Sequence, residues 1–133
     1  MQSRLNLLAQ AGQSVWLDLI TRDLLRNGEL AQLIESDGVS GVTSNPSIFQ
    51  KAVAQGTAYG SLIEGYTQRG MAPLQVYEAL AITDIREACD LLAPVYERTQ
   101  ARDGYVSLEV NPHLAHDPSA TLLEARRLSR RTR

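Results

Sequence analysis

Apolar and polar residues alternate in three short stretches of the chain, and each alternation predicts a half-buried β-strand. These stretches are residues 14–19, the segment that ends at Asn45, and residues 105–110. Helical periodicity and capping residues predict helices over residues 5–11, 22–26, 29–36, 47–54, 58–69 and 74–81. Thr83 can cap a further helix from residue 84, and a last helix runs from 118 to about 128. Pro94 is expected to kink or end the helix that contains it. Strands that alternate with helices indicate a parallel sheet with right-handed crossovers.

Each predicted strand carries one polar side chain near its carboxyl end, on the face opposite its valines and leucines. These side chains belong to Asp18, Asn45 and Glu109. A doubly wound sheet is apolar on both faces, so the pattern fits the interior and rim of a (β/α)₈ barrel better. If the strands lie side by side, two carboxylates and an amide converge, and such a set can carry proton transfers.

A second interpretation of the same residues is purely structural. Asn45 precedes Pro46, and asparagine is a strong N-cap residue while proline suits the first helical turn. Asn45 would then only cap its helix, and Asp18 and Glu109 would make ordinary hydrogen bonds in loops. The spacing of the residues leaves both interpretations open.

Length and composition describe an ordinary globular protein. The chain has 133 residues, of which 44% are apolar and 21% charged, which is enough for one domain with a modest core. No run approaches the roughly 20 apolar residues that a membrane span needs, and the first residues lack the apolar centre of a signal peptide. Cys89 is the single cysteine, so no internal disulfide is possible. We therefore expect a cytoplasmic protein with no membrane partner.

The net charge of −2 hides an asymmetry along the chain. Residues 1–125 carry eight basic and 15 acidic groups, a net charge of −7, and five arginines in the last eight positions add +5. A terminal arginine cluster can bind a polyanion, but a solvated end, or a truncated or frameshifted terminus, is the favoured explanation. The chain has neither the aromatic pattern of RNA-binding modules nor a zinc-ligand set, so no nucleic-acid partner is expected.

Other chemically active residues form no recognisable site. His113 and His116 are three residues apart in a predicted loop, but no third metal ligand accompanies them. Cys89 falls in a helix on a face expected to be buried, which favours a packing role. Lys51, the only lysine, follows Asn45 by six residues on a predicted helix and is expected to face solvent. A glycine-rich phosphate or dinucleotide motif is absent.

Three motifs in order resemble the transaldolase family, in particular its bacterial branch, which includes transaldolase–phosphoglucose isomerase fusions. The resemblance covers nearly the whole chain up to about Leu128. It is carried by Val15-Trp16-Leu17-Asp18-Leu19-Ile20, by Gly38-Val39-Ser40-Gly41-Val42-Thr43-Ser44-Asn45-Pro46-Ser47-Ile48-Phe49, and by Gly104-Tyr105-Val106-Ser107-Leu108-Glu109-Val110 with Pro112-His113-Leu114-Ala115-His116-Asp117.

The resemblance implies a (β/α)₈ barrel that transfers a dihydroxyacetone unit between sugar phosphates in the pentose phosphate pathway. The family works through a lysine Schiff base, without a metal or an organic cofactor. By resemblance, Asp18 moves the proton of the C4 hydroxyl, and Glu109 works through a water in forming and hydrolysing the imine. Asn45 hydrogen-bonds the bound dihydroxyacetone, with Thr43 beside it on the same face as a second substrate-binding residue.

The chain departs from the family pattern in its last part. The Schiff-base lysine belongs on the fourth strand, whereas this chain ends in the helix before that strand, and Lys51 is not expected to replace it. The last five residues, 129–133, cease to resemble the family, as a frameshift or a premature stop would produce. We therefore predict a partial barrel over residues 1–128, about three of eight β/α units, followed by a basic tail over residues 129–133.

Two functional hypotheses follow from this partial barrel. The first is a transaldolase fragment that is inactive by itself. The second is a non-catalytic fragment that associates with itself through open strand edges, or that complements a separately encoded remainder. Sugar phosphates are the expected substrates under the first hypothesis.

Overall fold

A computed structural model describes residues 3–55 and 57–132 of the chain. Its sheet has three parallel strands in the order β1-β2-β3, which confirms the predicted parallel sheet. The strands are β1 (Val15–Leu17), β2 (Val39–Val42) and β3 (Tyr105–Val106). All three strands are shorter than predicted, but ladder-like hydrogen bonds continue past their ends. The backbone N–H of Thr43 donates to the carbonyl of Leu17, and the backbone N–H of Ser107 donates to the carbonyl of Val42, both at 2.9 Å.

Across residues 3–55 and 57–132, seven α-helices connect and cover the strands. They are α1 (Arg4–Gln10), α2 (Arg22–Arg26), α3 (Glu29–Gln32), α4 (Pro46–Gln55), α5 (Gly60–Gln68), α6 (Pro73–Arg98) and α7 (Pro118–Arg131). A π-helical turn, Leu33–Asp37, extends α3, and short 3₁₀ turns cover Thr57–Tyr59 and Pro112–Leu114.

The main hydrophobic core lies between one face of the sheet and the helices. Leu17, Val42 and Val106 from the three strands pack in one cluster with apolar residues of α6, including Ile85 and Leu92. The predicted apolar strand faces are thus confirmed for these residues. The prediction that Leu19 is buried on the same face is wrong, because Leu19 follows the end of β1 and is 44% exposed.

The opposite face of the sheet carries Trp16, which is 37% exposed. Its ring covers Gly41 so closely that a Cβ there would lie 2.2 Å from the ring. The indole nitrogen donates to the Asp103 carboxylate at 3.0 Å, where the chain enters β3. Glycine at position 41 is therefore required by the close approach of the tryptophan.

Helix α6 differs most from the sequence prediction. The prediction of a separate helix capped by Thr83 is wrong, because α6 runs without interruption over 26 residues. The Thr83 hydroxyl instead donates to the carbonyl of Ala79 at 2.8 Å, one turn earlier in the same helix. Pro94 does not end the helix either; it lies on an exposed side, where water can bind the carbonyl that its missing N–H leaves free.

The last helix extends beyond its predicted end. Helix α7 runs to Arg131, three residues past Leu128, because its capping and hydrogen bonding continue through Thr132. The division of the chain into a domain and a tail at residue 128 stays a prediction. Over the described ranges, every helix is too short or too polar to cross a membrane.

Candidate active site at the carboxyl ends of the strands

A polar cavity of about 570 Å³ lies where β1 and β2 end and α4 begins. Its lining includes Asp18 from the end of β1, Asn45 and Ser47 from the start of α4, and Lys51 from the second turn of α4. The carboxyl ends of parallel strands meet at one edge of a sheet, so residues far apart in sequence come together here. The structure thus brings two of the predicted site residues, Asp18 and Asn45, into one cavity.

Thr43 joins this pair through Asp18. The Thr43 hydroxyl lies 2.5 Å from one carboxylate oxygen of Asp18, to which it donates a hydrogen bond. The Asp18 side chain is otherwise open to solvent, while Thr43 is half-buried. Asp18 and Asn45 therefore share one cavity, and Thr43 is joined to it through Asp18.

Asn45 performs the capping role that sequence predicted and keeps part of its side chain free. Its carboxamide oxygen accepts a hydrogen bond from the backbone N–H of Ile48 at 2.9 Å, and Pro46 is the first residue of α4. Within residues 3–55 and 57–132, no hydrogen bond involves its amide nitrogen. The cap therefore fixes the orientation of an NH₂ group that can still donate to a ligand.

Ser44 was not identified from the sequence, yet it ties the site to β3. It is 2% exposed, and its hydroxyl donates to the carbonyl of Ser107 at 2.5 Å. Its backbone N–H in turn faces the Ser107 hydroxyl at 3.4 Å. The only signal in the sequence was its position between Thr43 and Asn45, in a segment where successive side chains point to opposite sides.

Glu109 lies in a neighbouring groove and does not line this cavity. That groove, about 340 Å³ in volume, is bounded by residues after β3 and by α6 and α7, and it also contains Tyr77 and His113. Burial raises the pKa of Tyr77, and the negative charge of Glu109 adds to this effect. Pro46 lines the groove while Asn45, its neighbour, lines the cavity, so the start of α4 separates the two spaces.

Lys51 is exposed, as expected, but it lines the same cavity as Asp18 and Asn45. The sequence prediction concerned only its exposure and said nothing of the cavity. Helical spacing could have indicated the cavity, because Lys51 follows Ile48 by three residues and both residues line it. The cavity therefore contains an amine as well as a carboxylate.

The inner wall of the cavity is formed by Tyr59, which belongs to a buried polar cluster. The Tyr59 hydroxyl donates to Asp84 at 2.6 Å and accepts from the backbone N–H of Arg22 at 3.1 Å. Arg22 pairs with Asp84 through Nε at 2.8 Å and stacks its guanidinium over the Tyr59 ring at 4.6 Å. All three residues are at most 1% exposed, and burial raises the pKa of Tyr59.

The remaining candidates of the sequence analysis give no further site. Cys89 is partly buried against the main core, and burial raises the pKa of its thiol, which makes it a poor nucleophile. In the part of the chain that the structure describes, no group of three or more potential ligands could hold a metal ion.

Comparison with known proteins identifies relatives along almost the whole chain. The family model described as Transaldolase/Fructose-6-phosphate aldolase matches residues 15–133. A transaldolase from Thiobacillus denitrificans is 55% identical over 121 residues, which cover 91% of this chain and 34% of the relative. Transaldolase 2 from Nostoc punctiforme is 50% identical over 120 residues, which cover 90% of this chain and 32% of the relative. A transaldolase from Thermobifida fusca is 49% identical over 128 residues, which cover 96% of this chain and 35% of the relative. The chain thus spans about a third of the length of these curated relatives.

Proposed function

The chain belongs to the transaldolase/fructose-6-phosphate aldolase family, and from this premise we propose that it forms part of a transferase site for sugar phosphates. The reaction moves a dihydroxyacetone unit from a ketose phosphate to an aldose phosphate, in the pentose phosphate pathway, through a lysine Schiff base. The open three-stranded parallel sheet of this chain corresponds to part of the (β/α)₈ barrel of that family.

The observation that carries this proposal is the cluster of Asp18, Thr43 and Asn45 at the carboxyl ends of β1 and β2. Asp18 is exposed at the cavity, so its carboxylate can take or return the proton of a substrate hydroxyl as C–C cleavage proceeds. The free amide nitrogen of Asn45 can donate to a hydroxyl or carbonyl oxygen of the dihydroxyacetone unit. The hydrogen bonds that orient both side chains reduce the entropy lost when a ligand is bound.

Glu109 has a separate proposed role, acting through a water in the formation and hydrolysis of the imine. Support comes from its position after β3, the next strand of the sheet, and from its exposed side chain. Its groove borders the cavity at Asn45-Pro46, so a water between the two spaces could reach both.

These 133 residues are proposed to be inactive by themselves. A nucleophilic lysine is activated by desolvation or by a neighbouring cation. Lys51, the only lysine, is exposed, and the other charged residues of its cavity, Asp18 and Asp23, are acidic. The reacting lysine is therefore assigned to a part of the barrel outside this chain.

The test is borohydride trapping of an imine with fructose 6-phosphate, combined with a transaldolase assay. We expect no turnover and no covalent label on the purified chain, as intact mass would show. Lys51→Arg is the matched control, because it keeps the charge and removes the reactive amine. A label on the unmodified chain that disappears in Lys51→Arg would place the imine at Lys51 and contradict the proposed inactivity.

A second candidate function is a non-catalytic unit that associates with itself or complements a separately produced remainder. The sheet favours this candidate because, in the described part of the chain, β1 and β3 are each paired on one side only, which leaves backbone groups available to another strand. Light scattering after size-exclusion chromatography measures self-association, and a monomer at every concentration would contradict it.

Complementation can be measured with the carboxyl-terminal two thirds of the Thiobacillus denitrificans transaldolase, about the part of that relative which this chain does not match. Activity is expected only when both pieces are mixed. Asp18→Asn in this chain should then lower kcat by about 10²- to 10⁴-fold, the usual contribution of a general acid–base group.

A further inference from the structure

We propose that Thr43 is a positioning residue, whose hydroxyl holds the Asp18 carboxylate in place and acts on the ligand only through it. The inference rests on the proposed function for the identity of the ligand, a dihydroxyacetone unit. It changes the role of Thr43, which the sequence analysis placed among residues that bind the substrate directly.

Thr43 is attached to the end of β1 at two points. Its backbone N–H donates to the carbonyl of Leu17 at 2.9 Å, and its hydroxyl donates to Asp18 at 2.5 Å. The backbone bond fixes the main chain of Thr43 against β1, and a β-branched side chain has few χ1 rotamers. The hydroxyl is therefore presented to Asp18 from a fixed position.

Ser44 secures the same segment on its other side. Its buried hydroxyl donates to the carbonyl of Ser107 at 2.5 Å, so consecutive residues after β2 are bound to opposite neighbours. Thr43 binds the end of β1, and Ser44 binds the residue after β3. A segment held from both sides keeps the main chain of Thr43 in place, so the hydroxyl can leave Asp18 only by rotation about χ1.

The single hydroxyl hydrogen of Thr43 is already used. A threonine hydroxyl has one hydrogen to donate, and here it points to one oxygen of Asp18. The other oxygen of Asp18 has no hydrogen bond within the described ranges, and the Asp18 side chain is exposed and lines the cavity. Thr43 thus occupies one carboxylate oxygen and leaves the second one, in a defined orientation, for the hydroxyl of a ligand.

A double-mutant cycle tests this role on the chain as it exists. Four proteins are compared: the unmodified chain, Thr43→Val, Asp18→Ala and the double variant. Binding of dihydroxyacetone is measured by amide chemical-shift titration. We expect Thr43→Val to weaken binding about fivefold, the size of one hydrogen bond, and to have no further effect in the Asp18→Ala background, which lacks the acceptor.

Two controls separate positioning from general packing. Thr43→Ser retains the hydroxyl and should bind within about twofold of the unmodified chain. Thr67→Val removes a hydroxyl that donates to the Ile63 carbonyl in α5, outside the cavity, and should leave binding unchanged. Equal losses from Thr43→Val with and without Asp18→Ala would show a direct ligand contact and overturn the proposal, as would a failure of serine to restore binding.

Urea unfolding of the same four proteins distinguishes this proposal from the proposed function. A non-zero coupling between positions 18 and 43 in the free energy of unfolding supports the positioning contact, and zero coupling overturns it. If coupling is present but the unmodified chain binds no dihydroxyacetone, the ligand assigned under the proposed function is wrong while the contact between Thr43 and Asp18 stands.

Discussion

Two ion pairs join the same two helices, α2 and α6, but their surroundings differ. Arg22 pairs with Asp84 and Arg26 pairs with Glu87, in each case with a nitrogen–oxygen distance of 2.5 Å. The side chains of the first pair are 2% and 0% exposed, and those of the second pair are 54% and 32% exposed. The pairs lie one helical turn apart, so burial is the main variable that separates them.

Burial reverses the effect of pairing on the carboxylate. The hydrogen bond from Arg26 lowers the pKa of Glu87, as expected for an acid beside a cation. Burial raises the pKa of Asp84 even though hydrogen bonds from Tyr59 and Arg22 favour its charged form. The comparison teaches that the environment of a charged side chain can outweigh the identity of its partner. Four predictions test this difference.

The largest effect is expected from Asp84→Asn. This substitution would leave the Arg22 guanidinium buried without a counter-charge. The Nη1 atom of Arg22 already lacks a hydrogen-bond partner in the described part of the chain. Removing one partner of a buried pair costs about 3–5 kcal/mol of unfolding free energy, a large share of the stability of a small domain. The measurement is the midpoint of urea unfolding, and a loss below about 1 kcal/mol would show that burial does not make this pair critical.

Tyr59→Phe should have an intermediate effect. The substitution keeps the ring over Arg22 but removes the hydroxyl that donates to Asp84 and accepts from the Arg22 backbone. A hydrogen bond to a charged group contributes about 1.5–3 kcal/mol, and we expect a loss in that range from urea unfolding. If the loss matches that of Tyr66→Phe, a half-buried tyrosine for which the described residues show no hydroxyl hydrogen bond, the cluster does not depend on the Tyr59 hydroxyl.

Glu87→Gln is the exposed counterpart of Asp84→Asn. Pairs of solvent-exposed side chains contribute about 0.2–1 kcal/mol, because water screens the charges and both side chains lose freedom. We expect a loss in this range that shrinks further in high salt, measured by urea unfolding at two ionic strengths. A loss as large as that of Asp84→Asn would remove the distinction between the two pairs.

The smallest effect is a difference in pH dependence. Since the pKa of Glu87 is lowered in the folded chain, its contribution is present above the ordinary value of 4.5 and is lost as pH falls through the lowered value. Asp84 has a raised pKa, so its titration makes the folded chain relatively more stable as pH falls. The stability difference between the unmodified chain and Glu87→Gln should therefore vanish in acid, and a difference that persists below this range would contradict the assigned shift.

Much of the fold and the centre of the site could be predicted from short-range patterns. The alternation of strands with helices is confirmed, and so is the cap of Asn45 on Ile48, since a cap involves residues three positions apart. The shared face of Thr43 and Asn45 followed from the two-residue period of an extended chain. Membership of the transaldolase family was likewise carried by motifs that are continuous in sequence.

The errors concern residues whose surroundings come from elsewhere in the chain. Thr83 looked like a cap, but tertiary packing of α6 against the sheet favours one continuous helix. Glu109 was expected to converge with Asp18 and Asn45, yet it lines the groove against α6 and α7. Lys51 is exposed as predicted, but its place in the cavity was not predicted, because it depends on how α4 packs beside β1.

The sequence by itself determined the order of the elements, the capping of α4 and the polar residues at the strand ends, because these depend on contacts within a few residues. Only the tertiary structure decided which charges are buried: Arg22 and Asp84 are 62 positions apart, and no local pattern distinguishes them from Arg26 and Glu87. It also tied Thr43 to Asp18 and Ser44 to Ser107, across 25 and 63 positions. Burial and long-range hydrogen bonds arise when distant elements pack, and the desolvation that follows sets the energy of each charged group.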